Sequence, residues 1–103
     1  MQSKVKVFNA NQTCHMEPMP VYARILDIES EVGELAKEYL KNSNYGTQEF
    51  VLTNSFKEEF GDVLYSMLSL ADELNINSEE CLDMVLAKLK MRMEKNNSMG
   101  SGR

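Results

Sequence analysis

Residues 21–41 read VYARILDIESEVGELAKEYLK. Val21, Ile25, Ile28, Val32, Leu35 and Tyr39 recur at spacings of four, three, four, three and four, which is one apolar stripe along a helix. Pro20 suits the first turn of that helix, and KNSNYG at 41–46 ends it with Asn and Gly. No stretch of the 103 residues shows a convincing strand pattern to compete with it.

The neighbouring segments follow the same logic. Ser55 with Glu58 three residues on forms a capping-box pattern and predicts a second long helix starting at Ser55. Phe56, Phe60, Val63, Leu64, Met67, Leu68, Ala71 and Leu74 give it a broad apolar face. NINSEE at 75–80 starts a last helix, with Asn77 and Ser78 as alternative N-caps, and Leu82, Val85, Leu86, Leu89 and Met93 along one side. SKVKVFN at 3–9 suggests a short helix, which CHMEPMP at 14–20 breaks through Pro18 and Pro20. The expected fold is all-α, a helical bundle of about four helices, as a single domain over 1–97 with a disordered polar tail at 98–103. The face of the middle helix is wider than one partner helix needs, so homo-oligomerisation is expected to complete the core. The eight methionines read as core filler.

Composition excludes several classes. Net charge is −5, which argues against a binder of nucleic acid polymers. No apolar run approaches the ~20 residues of a membrane span, and the N-terminus lacks the apolar segment of a signal peptide. Two cysteines far apart in sequence, Cys14 and Cys81, suit a cytoplasmic chain with idle thiols. Cys14 next to His15 lacks further ligands and reads as an incidental loop dipeptide.

The carboxylates carry more information. Asp27, Glu31, Glu34 and Glu38 are spaced by four, three and four, so they share a strip roughly 60° wide beside the apolar stripe. Like charges at this spacing cost a few tenths of a kcal/mol per pair. Glu59 and Asp62 flank the apolar face of the next helix in the same way. If the two helices pack through their stripes, the acids converge at the edge of the interface. Oxygen ligands without His or thiolate favour Mg²⁺, with Mn²⁺ also suitable. A di-iron bundle would need Glu-x-x-His pairs, and the sole histidine, His15, lies outside both helices. EVGE at 31–34 and EFGD at 59–62 also place Gly33 and Gly61 inside helices, at about 1 kcal/mol each relative to Ala. Close helix packing and room for a ligand are the two readings of that cost.

LDIESEVGELAKEYLK followed by FKEEFGDVLYSMLSLADEL resembles the MazG-type all-α nucleoside triphosphate pyrophosphohydrolases, over about residues 20–97. The resemblance implies an oligomeric helical bundle, a homodimer or homotetramer. It implies Mg²⁺-dependent hydrolysis of a nucleoside triphosphate between its α- and β-phosphates. The family's metal-binding acids fall on Glu31, Glu34, Glu59 and Asp62, and one of these or a neighbouring acid such as Glu38 is expected to orient the attacking water. There are two departures. Many relatives begin the first motif with two adjacent acids, and here Ser30 holds the first position, so the role of that acid is either absent or moved to Asp27 or Glu38. Relatives also carry a Lys and then an Asn four residues on in the last helix, and here Lys88 is followed by Arg92.

Lys88, Arg92 and Lys95 share a face of the last helix and are candidate phosphate contacts, although they also complement its C-terminal dipole. Lys37 and Lys41 are weaker candidates, and Tyr45 is a candidate to stack on a base. Arg24, one turn before Asp27, reads as its intrahelical ion-pair partner. The leading reading is a pyrophosphohydrolase that clears canonical or damaged nucleotides from the pool. A dUTP- or dCTP-specific enzyme, a phosphoribosyl-ATP pyrophosphatase and a non-catalytic helical dimer are the rivals.

Overall fold

A computed structural model describes residues 1–12 and 19–98, so Cys14, His15, Pro18 and the tail at 99–103 lie outside the described residues. Four helices follow one another, α1 (Gln2–Gln12), α2 (Val21–Asn42), α3 (Asn54–Glu73) and α4 (Ser78–Ser98), and there is no strand among the described residues. The all-α expectation holds.

The two long helices start and stop for local reasons. Pro20 is the N-cap of α2 in extended conformation, one position before the first turn, and its carbonyl accepts from the Arg24 N–H at 3.0 Å. At the other end the buried Ser43 turns its hydroxyl back onto the Tyr39 carbonyl at 3.0 Å and accepts from the Gly46 N–H at 3.2 Å. The chain then turns through Asn44, Tyr45 and Gly46, all at positive φ. Glycine and asparagine adopt that backbone most readily, so Tyr45 at φ 60° is an unusual bulky residue to find there. Tyr39 stacks on Phe50 with ring centroids 4.7 Å apart, and Phe50 meets Phe56 edge-on at 5.0 Å, which pins the connection across the helix ends.

The N-cap of α3 is Thr53, not Ser55. Its Oγ1 accepts from the Phe56 N–H at 3.1 Å and from Asn42 Nδ2 at 2.9 Å. One hydroxyl thus caps α3 and ties it to the end of α2. Both candidates precede the same apolar run, but only Thr53 lies within reach of Asn42.

From that tie the two helices run antiparallel, with Ser66 opposite Asp27 and Glu73 opposite Arg24. Arg24 therefore pairs across the helices with Glu73, at 3.7 Å, rather than with Asp27 along its own helix. α1 lies antiparallel on the other side of α3. Tyr65 donates to Asn9 Oδ1 at 2.6 Å, Asn9 Nδ2 donates to the buried Ser69 hydroxyl at 3.1 Å, and Phe8 packs edge-on against Tyr65. At the far end Gln2 clasps the start of α4. Its Oε1 accepts from the Ser78 N–H and hydroxyl at 2.8 and 2.6 Å, while its Nε2 donates to the Ile76 carbonyl at 2.7 Å. Asn77 completes the cap by accepting from the Glu80 N–H at 3.1 Å.

Beyond this root α4 stands away from the other helices, and every described side chain from Glu79 to Asn96 is exposed. The buried apolar side chains of the described chain are Leu68 and Ala71. None of the methionines described is buried, so the reading of these residues as core filler does not hold within one chain.

Thr53→Ala removes an N-cap and strands Asn42. It should cost about 1 kcal/mol and lower the melting temperature followed by circular dichroism. Ser55→Ala should leave it nearly unchanged.

Candidate metal centre

The antiparallel α2–α3 pair brings the two acidic strips to one edge. Glu31, Glu59 and Asp62 each offer a carboxylate oxygen, and these oxygens lie within 4.8 Å of one another. Glu31 and Glu59 are half-buried and Asp62 is exposed. The set is all oxygen and anionic, which is the donor chemistry a hard divalent cation requires.

The protonation behaviour of the cluster reflects that crowding. The Glu31 carboxyl is held above its ordinary value, first by loss of solvation, then by the charges of Asp62, Asp27, Glu59 and Glu34. Glu59 is raised for the same leading reason, then by Asp62, Glu34, Glu38 and Glu58. Glu31 and Glu59 therefore each feel the carboxylates around them. Glu34 lies one turn beyond Glu31 and outside the tight triad, and its Oε1 is 3.9 Å from Lys37 Nζ in an exposed pair. Glu38 sits half-buried a further turn along. Asp27, on the other side of Glu31, accepts a long hydrogen bond of 3.5 Å from the buried hydroxyl of Ser66. The sequence reading passed over Ser66. Its signal was a small polar residue within the apolar face of α3.

Helix geometry narrows the two readings of the glycines. Gly33 follows Glu31 by two residues, and Gly61 follows Glu59 by two. Each therefore points about 200° away from that acid around its helix. Neither glycine faces the carboxylate cluster, so clearance for a cation is not their role. A Cβ at either position would meet nothing within 4 Å, so no close packing inside one chain requires them.

The remaining candidates are not gathered at the acids. Lys88 and Arg92 lie on the detached part of α4, and among the described residues no ion pair joins them to the clustered carboxylates. Tyr45 is 77% exposed at the loop that follows α2. An open cleft of about 1000 Å³ lies elsewhere, between α1, α3 and the root of α4, and none of the clustered acids lines it.

With this geometry in place, comparison with known proteins is decisive. The model of the MazG nucleotide pyrophosphohydrolase domain matches residues 23–96. The chain belongs to the MazG family. The matched span runs from the start of α2 almost to the end of α4, and so includes both halves of the acidic cluster. The chain is also 37% identical over 81 residues to the uncharacterized protein YpjD of Bacillus subtilis (strain 168), an alignment that covers 76% of this chain and 68% of that protein. No solved structure matches. MazG domains are nucleotide pyrophosphohydrolases that depend on a divalent metal, and the acidic cluster suits that chemistry. No described helix is long and apolar enough to cross a membrane.

The raised carboxyls have a direct consequence for stability. A carboxyl whose folded value exceeds its unfolded value binds a proton more readily when folded, so stability falls as pH rises through that window. For Glu59 the window opens at the ordinary value of 4.5, and the penalty sets in as pH rises above it. Metal-free Glu59→Gln should therefore melt higher than the unmutated chain at pH 7, with the difference closing below pH 4.5. Thermal melts across that range in a chelator check this. A divalent cation at 100 times its Kd should add about 2.7 kcal/mol to the unmutated chain.

Proposed function

We propose that this MazG domain hydrolyses (deoxy)nucleoside triphosphates with Mg²⁺, cleaving between the α- and β-phosphates to give the monophosphate and pyrophosphate, in a role of clearing the nucleotide pool. The observation that carries the reading is the convergence of Glu31, Glu59 and Asp62 from two helices, with Glu34 one turn away. Like charges at the edge of a small domain weaken it, and they make physical sense as ligands to a cation. Glu31, Glu34, Glu59 and Asp62 would hold Mg²⁺, or Mn²⁺ in its place. Bound there, the metal neutralises the phosphate charge that otherwise repels both the protein and the nucleophile.

The chain's own groups supply the rest. Glu38 and Asp27 flank the cluster on α2, and either can accept a proton from the attacking water. The water's oxygen ends on one phosphate product and its protons pass to the acid and then to solvent, so no other reactant is required. Lys37, Lys88 and Arg92 are the candidate phosphate contacts, and the exposed ring of Tyr45 is the candidate platform for the base. A homodimer or homotetramer in the cytoplasm is the expected setting. Apolar surface left open in a single chain supports the oligomer.

Product analysis tests the reaction. The purified chain with Mg²⁺ should convert one or more of the common ribo- or deoxyribonucleoside triphosphates to monophosphate and pyrophosphate, resolved by anion-exchange chromatography. Diphosphate plus orthophosphate would contradict the bond assignment. Glu31→Gln and Asp62→Asn should each lower kcat by about 10²-fold or more while far-ultraviolet circular dichroism stays unchanged, and a chelator should abolish turnover. Turnover of dUTP or dCTP alone would instead favour a dedicated enzyme on the same scaffold.

A further inference from the structure

Arg24 is the cation aligned with the acidic strip. It stands seven residues before Glu31, so the two lie within about 20° of each other around α2 and about 10 Å apart along it. Asp27 lies between them on the same face. The other basic residues of α2 are turned aside, Lys37 by about 120° from Glu31 and Lys41 by about 80°.

The guanidinium is tethered but not used up. Its side chain is only 19% exposed, so the stem is held by its surroundings. Nη2 meets Glu73 at 3.7 Å, a long contact to a carboxylate that is itself 31% exposed. The buried Nε has no hydrogen-bond partner. Asp27, one turn away, accepts from Ser66 instead. A buried donor left unmet costs the fold, and a long, partly solvated ion pair offsets little of that cost. Arginine presents its donors as a planar fork that matches phosphate. Here the Nε edge of that fork has no partner, beside a strip of acids suited to a cation.

Direction along the helix decides what that edge meets. Glu31 lies midway along α2, Arg24 stands in its first turn, and Tyr45, the candidate platform for the base, follows its last. A nucleotide with its base toward Tyr45 and its α–β bridge over the acids extends its terminal phosphate toward Arg24. We propose that Arg24 leaves Glu73 when substrate binds and closes its Nε edge on the terminal phosphate, so that this arginine selects triphosphates over diphosphates. The change replaces a long, partly solvated contact with a charge-assisted bidentate pair. The inference rests on the triphosphate reading above and adds the residue that recognises the third phosphate.

Kinetics on paired substrates test it. With Mg²⁺, kcat/KM is measured for the nucleoside triphosphate turned over fastest and for the diphosphate of the same nucleoside. The unmutated chain should prefer the triphosphate. Arg24→Gln should lower kcat/KM on the triphosphate by about 10-fold or more and leave the diphosphate nearly unchanged, so that the preference collapses. Inorganic pyrophosphate should inhibit that variant correspondingly less. Glu73→Gln removes the same ion pair but keeps the guanidinium, and should keep the triphosphate preference. An equal loss on both substrates in Arg24→Gln, or a matching loss of preference in Glu73→Gln, would overturn the proposal by making the ion pair merely structural. An unmutated chain that hydrolyses both substrates alike would overturn it too. An unmutated chain that turns over no nucleoside triphosphate sinks the hydrolase reading, and this inference with it. Should Arg24→Gln fail to fold, Arg24→Lys keeps the charge without the fork. It should lose part of the preference, and an unchanged ratio there counts against the proposal.

Discussion

The structure depends on carboxylates held together at the seam of two antiparallel helices. Glu31 on α2 and Glu59 and Asp62 on α3 bring three carboxylates within 4.8 Å of one another, in a site that solvates Glu31 and Glu59 less well than water. A chain of this size has little stability to spare for such a cluster. The antiparallel pairing enforces it all the same, because the bonds that set the pairing lie at both ends. Thr53 ties the helices together at one end and Arg24 meets Glu73 near the other. Neither contact touches the cluster, and together they fix which acids face each other.

That arrangement separates what one chain supplies from what it lacks. It supplies a cluster of carboxylate oxygens suited to a hard cation. It does not bring its strongest basic candidates to that site, and it does not bury its own apolar faces. Leu68 and Ala71 are a small core for the described chain, and the exposed stripes of α3 and α4 are the complement of that shortage. The single chain thus carries two different deficits, one of charge and one of buried area.

Much of this was legible in the sequence. Spacings of three and four put Asp27, Glu31, Glu34 and Glu38 on one strip, and spacing follows from the helix alone without any knowledge of its partner. The family resemblance rested on the same two motifs, and the match over residues 23–96 bears it out. Contacts between elements were less accessible. Arg24 has Asp27 nearby in sequence, yet pairs with Glu73, because the antiparallel crossing brings that side chain closer. Thr53 and Ser55 are equal as caps in one dimension, and Asn42 decides between them in three. The methionines fitted a core that a single chain does not build. The glycines in EVGE and EFGD looked like part of the acidic site because they sit between acids, but two residues along a helix is the wrong side of it.

Manganese binding addresses the cluster most directly, since Mn²⁺ can replace Mg²⁺ at oxygen ligands and its electron paramagnetic resonance signal reports the free ion. Titration of the unmutated chain should show saturable binding at one class of site, and the Glu31→Gln/Glu59→Gln variant should lose it while keeping its helicity. Undiminished Mn²⁺ binding in that variant would contradict the assignment of the α2–α3 carboxylates as the metal centre.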